Sequence, residues 1–339
     1  MYRRINVRYC LAYVAASILL FGMGWQAHHW YHRAYDQHTH RRVNLKGFRY
    51  TSPLLDVELP EGLRVNYEPI SFKYKFKDFV KQQVDAGKVR DMAIYYRDLA
   101  DGPWFGINEK TEFSAASMMK VPVMIAWLKR AERDPKVLGS QLLYDGKQDM
   151  NVYENIKPAN VIVPGKKYTI EELLRYMLQY SDNNAMALLY YTISQKELGD
   201  VLDGMDVNNR PAAEENFISV HSYSGFFRIL YNSAYLNREM SEKALELLSL
   251  QDFPQGIVAG VPPGTVVASK FGENASGPRG EIKQLHEFGI VYHPNGAYII
   301  GIMTRGNDLN KQAEIIRTVS AMIYSEVSAA AAKAQASPR

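Results

Sequence analysis

Thiols are almost missing from this chain: one cysteine, Cys10, in 339 residues. That excludes a disulfide framework and any zinc or iron–sulfur centre built from several thiolates. A basic surplus is also missing from most of the length, although the net charge is +4. Residues 1–50 hold eight Lys and Arg against a single acid, Asp36, and the remainder carries 32 bases against 35 acids. The body is therefore slightly acidic and has no surplus to neutralise phosphates, which argues against nucleic acid as a partner. Internal repeats are absent too. What is present is core material: 47% hydrophobic residues, with 23 Tyr, 13 Phe and 4 Trp, enough for a globular body.

The N-terminal arm has its own character. Arg3, Arg4 and Arg8 precede an uncharged run from Tyr9 to Trp25, followed by Trp30 and Tyr31. No small-x-small cleavage site follows, so residues 1–30 read as an uncleaved signal-anchor, a transmembrane helix with aromatic interfacial anchors. The expected location is the cell membrane, single-pass, with an extracytoplasmic body. Residues 31–70 are polar and broken by Pro53, Pro60, Gly62 and Pro69, and read as a juxtamembrane stalk. Five of the eight histidines lie between His28 and His40. Without a packed scaffold to orient them, they read as a solvated stretch and not as a metal site.

The body, residues 71–330, alternates in a particular order. Residues 72–87 have helical apolar spacing, and Met92–Leu99 and Trp104–Asn108 form a hairpin around Asp101-Gly102. A helical block follows: Met118–Arg130, a capping box Thr169–Glu172 opening a helix to Tyr180, then Asn184–Ile193, Ser222–Tyr235 and Ser241–Leu250. Strands return at Val266–Gly272, His286–Tyr292 and Ala297–Thr304, and a helix from Asn310 to Val327 closes the body, leaving 331–339 as a fraying tail. Two strands before the block and three after it can combine into one antiparallel sheet. The expected fold is α/β (α+β): a five-stranded antiparallel sheet with terminal helices packed on it, plus a helical lobe, with a cleft between them.

Three short motifs carry chemistry. Ser117-Met118-Met119-Lys120 opens an apolar helix, and a spacing of three puts hydroxyl and amine on one face. A desolvated lysine there can take the serine proton. Ser181-Asp182-Asn183 falls between two helices, where each residue type is also an ordinary N-cap. Lys270-Phe271-Gly272 lies in a strand, where a lone lysine is commonly solvated.

In this order, on these elements, the set resembles the class A β-lactamase and penicillin-binding protein family of serine hydrolases, with the β-lactamase/transpeptidase-like fold. The resemblance spans about residues 71–327. It implies Ser117 as the acylated nucleophile, Lys120 as its base, Ser181 as a proton relay to the leaving nitrogen, and Asn183 as a ligand of the substrate amide. Lys270 would hold the site positive and attract a substrate carboxylate. Gly272 and Glu273 would bind substrate, with the backbone N–H groups of Ser117 and Glu273 forming an oxyanion hole. No cofactor is implied. The substrates implied are β-lactams or peptidoglycan peptide ends.

Two departures qualify that reading. The family carries Thr or Ser between the lysine and glycine of the third motif, where this chain has Phe271; Ser269 or Arg279 are the nearest substitutes for the lost hydroxyl. Phe271 puts an apolar ring beside the site if it faces the cleft. The Glu-x-x-Leu-Asn string that supplies the deacylating base in class A enzymes is also missing. Glu214, Glu215, His221 and His286 are the available candidates. That absence favours a D,D-carboxypeptidase or slow penicillin-binding protein as the alternative, and Phe271 favours a non-catalytic wall-binding scaffold.

Overall fold

The computed structural model describes residues 48–52, 72–100, 102–204 and 217–336. The signal-anchor expected over 1–30, the histidine-rich stretch and most of the stalk lie outside the described residues. Among the described residues no helix is long and apolar enough to cross a membrane.

Helix α1 (Lys73–Asp85) leads into β1 (Asp91–Asp98) and β2 (Trp104–Ile107). The late strands are β7 (Val267–Ser276), β8 (Ile282–Val291) and β9 (Tyr298–Gly306), followed by the terminal helix α8 (Leu309–Ala336). They form one sheet in the order β2-β1-β9-β8-β7, every neighbour antiparallel. The N-terminal and C-terminal strands thus meet at the β1–β9 pair, as the split pattern required.

Strand alternation sorts the core into two layers. On β1, Ala93 and Tyr95 face the helical lobe, while Met92, Ile94 and Tyr96 face the layer that includes Phe76 of α1 and Ile316 and Val319 of α8. Both faces are covered, so most strand residues are buried, the polar Ser269, Lys270, His286 and Glu287 among them.

The lobe is built around α2 (Lys120–Arg133), buried on almost every side from Lys120 to Leu128. A helix apolar all round belongs in a core. Pro122 is tolerated because it sits in the first turn, where its missing N–H would have no partner. Around it pack α3 (Ile170–Gln179), α4 (Asn183–Thr192), α5 (Gln195–Asp203), α6 (Val220–Tyr231) and α7 (Arg238–Ser249). The capping box on α3 is as the sequence spells it: Thr169 Oγ1 accepts from Glu172 N–H at 3.1 Å and Glu172 Oε2 accepts from Thr169 N–H at 2.7 Å.

Two small ladders escape the sequence reading, β3 (Glu112–Ser114) with β6 (Phe217–Ser219) and β4 (Gln141–Tyr144) with β5 (Lys166–Thr169). At three or four residues each, they are too short to show alternation. Two boundaries are also corrected. Helix α8 runs to Ala336 instead of stopping at Val327, so most of the expected tail is helical; alanine has the highest helix propensity, and this segment is largely alanine. Residues 48–52, assigned to the stalk, dock on the body. The backbone N–H groups of Arg49, Tyr50 and Thr51 all donate to the Glu242 carboxylate, and Tyr292 Oη donates to the Tyr50 carbonyl at 3.0 Å.

Candidate active site

Ser117 sits on a 3-10 turn, Ala116–Met119, that runs straight into α2. Ala116 is held at φ +48°, a left-handed conformation unusual for a residue with a Cβ. Tyr223, wholly buried, fixes the turn by donating to the Met118 carbonyl at 2.8 Å. Gly272 of β7 lets the turn and the strand touch: a Cβ there would stand 2.9 Å from Met118 Cγ, 3.0 Å from Met118 N and 3.1 Å from the Ala115 carbonyl. Gly272 thus serves close approach of strand and turn.

Lys120 Nζ is the hub. It donates to Ser117 Oγ at 2.7 Å, to the Ser181 carbonyl at 2.7 Å, to Ser181 Oγ at 2.9 Å and to Asn183 Oδ1 at 2.7 Å. From behind, Lys270 Nζ donates to Ser181 Oγ at 3.0 Å and to the Phe271 carbonyl at 2.9 Å. Ser181 is another residue at positive φ, +61°, which aims its hydroxyl between the two amines. Asp182 is the cap its type suggests. Its carboxylate accepts from Asn184 N–H, Asn151 Nδ2 and Ile162 N–H, each at 2.8 Å, and so ties α4 to the loop before β5.

Burial sets the electrostatics. It holds the Lys120 ammonium down to about 8, with Glu154, Asp182 and Glu273 pulling it back up. Lys270 is pushed well below the usual lysine range by burial and then by its neighbour Lys120. Both effects weaken the positive charge that the resemblance gives Lys270.

Edge geometry gives Glu273 its backbone role. Phe271 N–H points away from β8 and donates to Gln251 Oε1 at 2.8 Å. Glu273, two residues on, directs its N–H from the same free edge toward the turn that carries Ser117. The cleft in front, about 490 Å³, is lined by Ser117, Lys120 and Asn183, by Glu273, Asn274 and Ala275 of β7, and by Tyr153, Glu154 and Asn155.

That last trio was not anticipated. Glu154 accepts from Asn183 Nδ2, and the Glu273 carboxylate accepts from Asn155 Nδ2 at 2.7 Å and from Ile156 N–H at 3.2 Å. Burial, then the Glu273 carboxyl, raises Glu154 to about 7, against the pull of Lys120. These residues lie in a polar loop with no local signal, and only distant partners give them meaning.

Several expected candidates stand elsewhere. Phe271 is buried and stacked on Phe253, in the layer beneath the sheet. Ser269 donates to Glu287 at 2.8 Å on that same layer, and Arg279 is exposed on the turn between β7 and β8, outside the cleft lining. His286 is fully buried and edge-on to Phe113, and burial lowers it to about 3; His221 packs against Trp104 and Tyr95. Neither histidine reaches the cleft. Glu214 and Glu215 lie outside the described residues. Among the described residues no group of three His, Cys, Asp or Glu is placed to hold a metal ion.

A serine bonded to a buried amine, facing an edge strand across a cleft, is the arrangement of a serine hydrolase. The family model described as "Beta-lactamase enzyme family" matches residues 73–327, and the chain belongs to that family. The fold is shared with solved structures at low identity. The β-lactamase from Sphaerobacter thermophilus is 20% identical with a TM-score of 0.65, covering 77% of this chain and 98% of that one. The class A β-lactamase from Mycobacterium abscessus is 18% identical with a TM-score of 0.61, covering 73% and 97%. The penicillin-binding protein PBP-A, solved as an acyl-enzyme complex with penicillin G, is 20% identical with a TM-score of 0.61, covering 75% and 96%. No curated protein matches the chain.

Proposed function

We propose that this enzyme cleaves amide bonds through an acyl-serine intermediate, on β-lactams or peptidoglycan peptide ends. One observation carries the reading: Lys120 Nζ lies 2.7 Å from Ser117 Oγ, buried and with its pKa lowered toward neutrality. An amine in that state takes the hydroxyl proton as Oγ attacks the carbonyl. The oxyanion forms against the N–H groups of Ser117 and Glu273. Ser181 Oγ, bonded to both lysines, passes a proton to the leaving nitrogen and is resupplied from Lys120. Hydrolysis retraces these steps with water in place of the leaving amine.

The body works outside the cytoplasm, held by the N-terminal segment. Supporting this are the arginines before the uncharged run Tyr9–Trp25 and the aromatic residues after it.

A fluorescent penicillin followed over time on wild type and on Ser117→Ala tests the chemistry. Covalent label on Ser117 that turns over supports a β-lactamase. Stable label on Ser117 supports the second reading, a D,D-carboxypeptidase or slow penicillin-binding protein, which the missing Glu-x-x-Leu-Asn string favours. An adduct on another residue, or labelling that survives Ser117→Ala, overturns the assignment.

A further inference from the structure

A receptor for a substrate carboxylate is hard to find in this cleft. Its ionisable lining is Lys120, Glu154 and Glu273. Lys120 spends its ammonium on four oxygen acceptors, and Lys270 lies behind Ser181 with its donors committed to Ser181 and the Phe271 carbonyl. Phe271 is turned into the layer beneath the sheet, Ser269 serves Glu287, and Arg279 is outside the lining. Among the described residues, no arginine and no further lysine lines the cleft.

Negative charge is what the walls offer. The Glu273 carboxylate is fixed by the Asn155 and Ile156 donors, three of its roughly four acceptor sites. Glu154 is half-buried beside the Glu273 carboxyl, and burial followed by that neighbour raises it to about 7, so it gains negative charge as pH passes neutrality. Glu154 takes one donor from Asn183 and retains acceptor sites on the cleft side. Beside it Tyr153, 79% exposed, places an aromatic ring on the same wall. Carboxylates beside an exposed ring make a receptor for ammonium or guanidinium, by charge and by the ring's negative face.

We propose that the cleft selects acyl substrates bearing a cationic group next to the scissile carbonyl, received by Glu154 beside Tyr153, with the buried Glu273 carboxyl behind Glu154. The inference rests on the serine-hydrolase reading of Ser117 and departs from the carboxylate-bearing β-lactams and peptide ends named with it. The groups facing Glu154 are Lys120 and Lys270, Glu273 on β7 and Asn183 on α4. As pH rises through about 7 and 8, Glu154 ionises and Lys120 loses charge, so the cleft becomes more receptive to cations.

Matched phenylboronic acids test this on the full chain, because boron adds reversibly to Ser117 Oγ as the hydroxyl proton passes to Lys120. Three probes, meta-aminomethyl, meta-carboxyl and uncharged meta-methyl, compete with an uncharged fluorophosphonate for labelling of Ser117. The aminomethyl probe is expected to bind about tenfold or more tightly than the carboxyl probe near pH 8, with a smaller ratio near pH 6. Glu154→Gln and Glu273→Gln keep the side-chain shape and should each shrink the ratio. Because the ratio is taken within one protein, a partly inactive variant still reports, and the wild-type pH series stands without variants. Labelling at Ser117 with equal binding, or with carboxyl ahead, overturns the cation preference and leaves the hydrolase reading intact. No labelling at Ser117 overturns both.

Discussion

The rings of Phe271 and Phe253 stack with centroids 4.4 Å apart and planes 19° apart, and the Phe271 ring also stands 4.1 Å from Lys270 Nζ. Phe271 is therefore core packing that shields the lysine from water, and not a lining residue of the cleft. Phe271→Thr removes most of a buried ring and should cost about 3 kcal/mol. The expected result is a lower melting temperature with no faster acylation by penicillins. Faster acylation at an unchanged melting temperature would place the side chain in the cleft after all.

The parity of the strand made this direction readable in principle. Once Lys270 points at Ser181, the next residue must point to the other face. The three motifs, the Thr169–Glu172 box and the meeting of early and late strands were legible because each is local or follows from element order. The acid pair was not. Asn155 and Glu273 are separated by 118 positions, and neither has a neighbour in sequence that hints at the other. The role of Gly272 was hidden for the same reason, since a glycine in a strand does not announce which backbone presses on it.

Lys120→Arg keeps a cation but removes the capacity to accept a proton near neutrality. Acylation should fall by roughly 10²- to 10⁴-fold, the usual cost of losing a positioned base. Stopped-flow labelling checks it, and a wild-type rate in the Arg variant would reduce Lys120 to a structural cation.

The same lysine predicts a pH profile. Its neutral form is the base, and burial lowers its pKa to about 8. The second-order acylation rate should climb with pH and level off above about 8, in contrast to the plateau above about 10 expected of an ordinary lysine. A rate flat from about pH 6 upward would rule out Lys120 as the titrating base.

Glu287 offers a test on stability alone. It is fully buried and accepts from Ile257 N–H, Gln251 Nε2 and Ser269 Oγ, and burial raises its pKa from 4.5 to about 7. The folded state therefore holds a proton that the unfolded state releases, and this group loses stability as pH rises from about 4.5 to about 7. Glu287→Gln cannot ionise. Its stability relative to wild type, read from melting, should rise across that window by roughly 1–3 kcal/mol in all and then stay level. His286 titrates in the opposite sense but cancels in the difference between the two proteins. A pH-independent difference would mean that Glu287 is already ionised in the fold.

The contact between Gly272 and the Ala115–Met118 segment fixes more than one glycine. The N–H groups of Ser117 and Glu273, proposed above as the oxyanion donors, belong to two stretches of main chain that this contact holds together, one in an edge strand and one in a 3-10 turn. A Cβ at position 272 would meet Met118 N and the Ala115 carbonyl as well as Met118 Cγ, so main chain limits how the two stretches can shift. Drift in the surrounding side chains can therefore alter which molecules enter the cleft while the spacing of the two donors stays the same.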